Sequence, residues 1–273
     1  MSPRQPGPDW PFWLLIGGVT ASYLALIVAM LAADAAWVAP GDLLRSLRSP
    51  EIAFSIRLTL ITCTVSALLA LIVAVPVGYL LSRTEFTGKA LLDGLLDIPI
   101  VLPPLVIGLS LLILFRVHIP FTDLRLNDIL PWTYTVAGVV LAQFVVGAAF
   151  AVRTMRATFD HLPRRPEDVA RVLGCSRADA VWRVTLPAAR RGMLTAATLA
   201  WARAMGEFGP ILVFAGATRL RTEVMPTTVF LELSVGNLEP ALAVSLLMVA
   251  LALAILVLVR WLGDGGGSMH DRL

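Results

Sequence analysis

Residues 159–187 read FDHLPRRPEDVARVLGCSRADAVWRVTLP, a polar, arginine-rich loop lodged between two segments greasy enough to cross a membrane. Pro163 and Pro166 break any helix that precedes them, and Pro166 suits the first turn of a new one, where a missing N–H costs nothing. The acidic pair Glu167 and Asp168 falls in that turn, at the positive end of the helix dipole. Gly174 then ends the helix after two turns. A turn at Cys175 and Ser176 follows, and a second helix from about residue 177 to 185 is expected to stop before Pro187. Val169, Val172 and Leu173 lie on one side of the short helix, which makes it a rigid knob suited to a cleft on another protein. The plainer reading is a solvated loop whose arginines only fix topology. The ordered spacing of Asp168, Val169, Ala170, Gly174, Leu186 and Pro187 decides against it.

Outward from this loop the chain is apolar. Hydrophobic residues make up 58% of its 273 positions and charged residues 15%, a balance that would leave far too much apolar surface in water. The apolar residues come in blocks long enough to cross about 30 Å of hydrocarbon as helices. Six blocks, near residues 11–33, 57–81, 95–115, 134–152, 192–216 and 241–262, predict an all-α polytopic membrane protein with about six transmembrane helices. The division expected is a first helix and outer loop over 1–50, one membrane domain over 51–262, and a tail over 263–273. The first block exceeds the 7–15 residues of a signal-peptide core, so it is read as a retained helix.

Basic residues set the orientation, because cytoplasmic loops carry the excess of Lys and Arg. With the N-terminus inside, fourteen fall on the inner side, among them Arg4, Arg272 and nine arginines from Arg153 to Arg191, against seven outside, Arg45 among them. Both termini and the 159–187 loop are therefore expected in the cytoplasm. Of the outer loops, residues 217–240 carry apolar spacing from Thr227 to Val235 that predicts a short amphipathic helix at the surface. Gly265, Gly266 and Gly267 read as the start of a frayed tail. Cys63 and Cys175 are separate packing residues. Nothing interleaves aromatics with the basic loop as a nucleic-acid site would.

Two further stretches concentrate glycine, proline and charge inside apolar blocks. WARAMGEFGP, residues 201–210, places Arg203 and Glu207 four apart, so on a helix they face the same way and neutralise each other. Gly206 and Gly209 flank Glu207 and Phe208 and give the backbone room to bend or approach a neighbour. DIPIVLPPLVIG, residues 97–108, holds Pro99, Pro103 and Pro104, which free backbone carbonyls and kink the helix. Such a break is affordable only where protein or water satisfies those groups. A kinked packing helix is the bland reading, and a kink beside a central pathway is the functional one.

Together the loop, PIVLPPLVIG and ARAMGEFG resemble the permease subunits of type I ABC importers, most closely the molybdate and tungstate branch, with sulfate and thiosulfate permeases as near relatives. The resemblance covers roughly residues 51–262. It implies a type I importer transmembrane domain in the cell inner membrane, in which two copies of the chain form one path for an oxyanion. Two ATPase subunits would bind below and an extracytoplasmic binding protein above. ATP and Mg would be held by the ATPase, since the chain has no G-x-x-x-x-G-K-[ST] loop, and no cofactor, metal or catalytic residue is expected here. The ATPase coupling loop would comprise Glu167, Asp168, Val169, Ala170, Gly174, Leu186 and Pro187. The path and gate would comprise Pro103, Pro104, Arg203, Gly206, Glu207, Phe208 and Gly209. One departure stands out: the family usually has Glu where this chain has Asp168, which keeps the charge and shortens the side chain.

Rivals from other classes fare worse. An ion-coupled secondary transporter needs intramembrane ionisable groups beyond Arg203 and Glu207. An embedded enzyme finds no support in His118, His161 and His270, which fall apart from one another with no metal-ligand spacing.

Overall fold

The computed structural model describes residues 10–37, 41, 48–120 and 124–264. Among them every regular element is helical, as a solvent without hydrogen-bond partners requires. In chain order they are α1 (Trp10–Trp37), α2 (Pro50–Arg83), α3 (Lys89–Val101), α4 (Pro104–Arg116), α5 (Leu126–Ile129), α6 (Val136–His161), α7 (Arg165–Val172) and α8 (Arg177–Ala180). A π-helical stretch (Val181–Thr185) follows, then α9 (Leu186–Met205), α10 (Gly209–Phe214), α11 (Met225–Ser234) and α12 (Leu238–Asp264). The three tail glycines, Arg4, Arg45, His270 and Arg272 lie outside the described residues.

Among the described residues α1, α2, α6 and α12 are each long and apolar enough to cross a membrane, and α3 with α4 makes a fifth span if that pair is counted as one. The pair bends by 111°, so the third apolar block is no straight span. The bend falls at Leu102 and Pro103, where α3 has delivered its last N–H to the Ile98 carbonyl and proline cannot continue the ladder. The fifth block folds as α9 and α10 with a break over residues 206–208, and it does not reach the same length and apolarity.

The bundle is built on α2, α6 and α9. Ala67, Ala70, Ala74 and Gly78 line one face of α2, and Ala189, Ala196, Ala200 and Ala204 line α9. Small residues at three- and four-residue spacing let backbones approach closely, the main source of helix adhesion in lipid. A side chain at Gly78 would put its Cβ 2.8 Å from the Arg156 nitrogen and the Met155 Cβ. Polar links also cross the bundle: Ser66 donates to the Val140 carbonyl at 2.9 Å and to Gln143 Oε1 at 3.3 Å, and the Trp201 indole N–H donates to the Thr64 hydroxyl at 3.3 Å. Such bonds are worth only about 0.6 kcal/mol in a membrane, so close packing does most of the holding.

Helix α1 departs from this pattern. It lies beside α12 with almost its whole apolar surface open. Helix α11 occupies the predicted amphipathic run but turns its polar residues inward. Thr227, Thr228 and Glu232 are buried, Glu232 pairs with Arg219 at 2.6 Å and accepts from Asn237 at 3.0 Å, and the Met225 N–H donates to the Thr59 hydroxyl of α2 at 2.9 Å. Partners elsewhere in the chain thus pull in a face that local spacing assigned to the surface.

Candidate functional site

The 159–187 segment is pinned before it turns away from the bundle. Phe159 at the end of α6 is fully buried, with Tyr79 of α2 edge-on against it. Two crossed latches follow: the Arg83 guanidinium donates to the Leu162 carbonyl at 3.1 Å, and Arg164 donates to the Ser82 carbonyl at 2.9 Å.

Helix α7 then starts with Pro166 in its first turn and ends in a Schellman motif. The Cys175 N–H reaches the Ala170 carbonyl, the Gly174 N–H reaches Arg171, and Gly174 sits at φ +97°, a conformation that favours glycine. Its two acidic residues part company. Asp168 is exposed and has no side-chain partner among the described residues, whereas Glu167 is half-buried and accepts the Tyr79 hydroxyl at 2.5 Å and the Thr185 hydroxyl at 2.9 Å. Ala170 is buried, while Val169, Val172 and Leu173 stand exposed by 57%, 87% and 80%. Trp182 is equally open. Sequence reasoning passed over this aromatic, although a tryptophan beside Arg183 in a polar loop was a signal.

The second helix does not stop before Pro187. Ser176 caps it by accepting from the Asp179 N–H at 3.1 Å, and the chain runs on through the π-helical stretch into α9, with Pro187 in the first turn. The wide turn is the physical reason. The Leu186 N–H reaches back to Val181, and that extra residue makes room for a proline ring that would clash in a regular helix. Leu186 packs onto the α2–α6–α9 core. The Ser176 hydroxyl, reinforced by the Arg183 charge, holds the Asp179 carboxyl below its usual range.

The other candidate residues meet at the break between α9 and α10. Glu207, almost fully buried, folds back past the end of α9 to pair with Arg203 at 2.7 Å, and the half-exposed guanidinium lies over the Phe150 ring. The two broken helices cross here. A Cβ on Gly209 would lie 3.0 Å from the Leu105 nitrogen and 3.2 Å from the Pro104 Cβ; one on Gly108 would lie 2.8 Å from the Pro210 Cα. PIVLPPLVIG and ARAMGEFG thus touch backbone to backbone. Pro103 is exposed at the bend, and Gly206 is exposed with space around it. Phe208 packs on Phe230 of α11 with ring centroids 5.1 Å apart, which ties the break to the opposite end of the bundle from α7.

A polar knob at one end and a crossing of broken helices within apolar blocks form the frame of a transport subunit. Residues 67–265 match the family described as the binding-protein-dependent transport system inner membrane component. The chain belongs to this family of ABC-importer permeases. The permease, a multi-pass inner-membrane protein, is 36% identical over 250 residues to a probable molybdenum ABC transporter permease of Haloferax volcanii, covering 92% of this chain and 88% of that one. It is 33% identical over 260 residues to the molybdate/tungstate permease WtpB of Thermococcus kodakarensis, covering 93% and 96%. With the sulfate permease CysT of Escherichia coli it shares 28% over 214 residues, covering 78% and 77%. Its fold matches a bacterial alginate ABC transporter solved with a periplasmic protein bound to alginate pentasaccharide, at TM-score 0.71, 15% identity and 92% and 93% coverage. It also matches the methionine transporter MetNI, at TM-score 0.63, 20% identity and 78% and 95% coverage.

Proposed function

We propose that the permease forms the translocation path of an ATP-driven importer for a tetrahedral oxyanion, molybdate or tungstate. The observation that carries this reading is the α7 knob: a short helix closed by Gly174, with Asp168, Val169, Val172 and Leu173 facing out and Ala170 turned in, in a chain that shares a third of its residues with molybdate/tungstate permeases. Two copies would enclose one path, two ATPase subunits would each receive one α7, and an extracytoplasmic binding protein would deliver the anion. Both termini and α7 would face the cytoplasm. Closure of the ATPases on ATP would push α7 and turn the path outward, and hydrolysis would return it. The crossing of α4 and α10 would serve as the gate. Arg203 is neutralised by Glu207, so discrimination among anions would rest with the binding protein.

The test is purification from mild-detergent membranes, followed by reconstitution of the recovered assembly in liposomes with its binding protein. Co-purification of a Walker-motif ATPase and ATP-dependent uptake of molybdate in preference to sulfate are expected. Preference for sulfate would move the assignment to the sulfate branch. Uptake driven by an ion gradient without any ATPase would overturn the reading.

A further inference from the structure

We infer that Glu167 is a positioning residue that locks α7 to α2 and α9, so that a push on α7 moves both helices as one body. This rests on the docking role proposed above for α7, and it gives the two adjacent acids of that helix opposite tasks.

The Tyr79 hydroxyl, in the last full turn of α2, donates to Glu167 Oε1 at 2.5 Å. The Thr185 hydroxyl, at the end of the π-helical stretch, donates to Oε2 at 2.9 Å. One carboxylate therefore joins segments 88 and 18 positions away in the chain. Bonds to a carboxylate are about twice as strong as neutral ones, and its two oxygens let each hydroxyl donor take one of its own. The node is braced on both sides. Tyr79 is held edge-on by buried Phe159, and the Arg83–Leu162 and Arg164–Ser82 latches flank it. Thr185 is itself buried and leads into α9, the helix that ends at the Arg203–Glu207 pair about 27 Å further along at 1.5 Å per residue. Asp168, the next residue, makes no such bond and faces outward. Position 168 is thus left to the partner, and position 167 transmits what the partner does.

The experiment uses the complete complex of permease, ATPase and binding protein in proteoliposomes, and reads molybdate imported per ATP hydrolysed. Tyr79→Phe and Thr185→Val each remove one donor at nearly constant shape. Each is expected to lower that ratio about threefold, with expression, thermal unfolding and ATPase co-purification unchanged. Glu167→Leu is expected to lower it about tenfold, and adding Tyr79→Phe and Thr185→Val to it should lower the ratio no further. Ratios equal to wild type in both single variants would overturn the inference. So would loss of the ATPase from the Tyr79→Phe and Thr185→Val complexes, which would make the node part of the docking surface. If the wild-type complex itself hydrolyses no ATP, the docking reading fails first and takes the inference with it.

Discussion

The α7 end of the permease and the crossing of its broken helices solve the same problem, holding irregular backbone in place, by opposite means. Around α7 the holding is polar and long in reach: two guanidinium latches and a carboxylate shared by two hydroxyls. At the crossing it is steric, with Gly108 against Pro210 and Gly209 against Pro104 and Leu105, and a single ion pair beside it. Polar bonds near water can loosen and be replaced, because even those to charged groups net only about 1.5–3 kcal/mol each. Backbone contacts through glycine admit no extra atom. The first arrangement suits a part that is pushed, and the second suits a part that is shut or open with nothing between.

The largest break of this contrast is expected from Glu207→Ala, which strands Arg203 in an apolar setting. Removing one partner of a buried pair costs about 3–5 kcal/mol, and the 33% exposure of the Arg203 side chain argues for about 3 kcal/mol. Transport should vanish and the detergent melting temperature should fall; Arg203→Met in the same chain should restore the melting temperature. No recovery would mean that the pair does more than cancel charge. Next comes Gly108→Ala, which forces a Cβ against Pro210 backbone and should cost about 1–3 kcal/mol by overpacking, with transport lost in the same assay. Transport at wild-type rate would show that the crossing gives way.

Gly174→Leu should do less to the fold, since nothing lies within 4 Å of that position and only the left-handed backbone opposes it, at about 1–2 kcal/mol. Insertion should be normal while ATP hydrolysis no longer drives uptake. Coupled transport in that variant would remove the turn from the mechanism. The smallest effect belongs to Gly206→Ala. The residue is exposed with its φ in the helical range and its nearest neighbour 3.8 Å from the new Cβ, so stability should change by less than about 0.5 kcal/mol. A large loss of transport there would mark the open side of the break as a place where the path needs bare backbone.

What could be read from the sequence follows the range of the forces involved. The helix of the 159–187 loop, its glycine turn and its outward apolar side are written within eight residues of one another, in Pro166, the acidic pair and Gly174. The breaks were equally legible, because proline and glycine act on the backbone where they stand. Their meeting was not, since Gly108 and Pro210 come together only once the whole bundle closes. Nor was the split between Glu167 and Asp168, which depends on a tyrosine in another helix. Thr227, Thr228 and Glu232 misled for the same reason: their partners are Arg219, Asn237 and the chain's own turns, not the surface that an amphipathic pattern suggests.

The π-helical stretch at Val181–Thr185 gives α9 a property that a uniform helix lacks. A turn closed over five residues holds one residue of slack, and moving that turn along the chain exchanges hydrogen bonds one at a time. Each such step re-registers only the residue that the turn passes, by about 1.5 Å and about 100°, and leaves the helix on either side in place. Helix α9 is in this sense a rod with a slip joint at its base. Glu167 holds the last residue of that joint, Thr185, so the slack lies on the α8 side and α9 is left to move with α7.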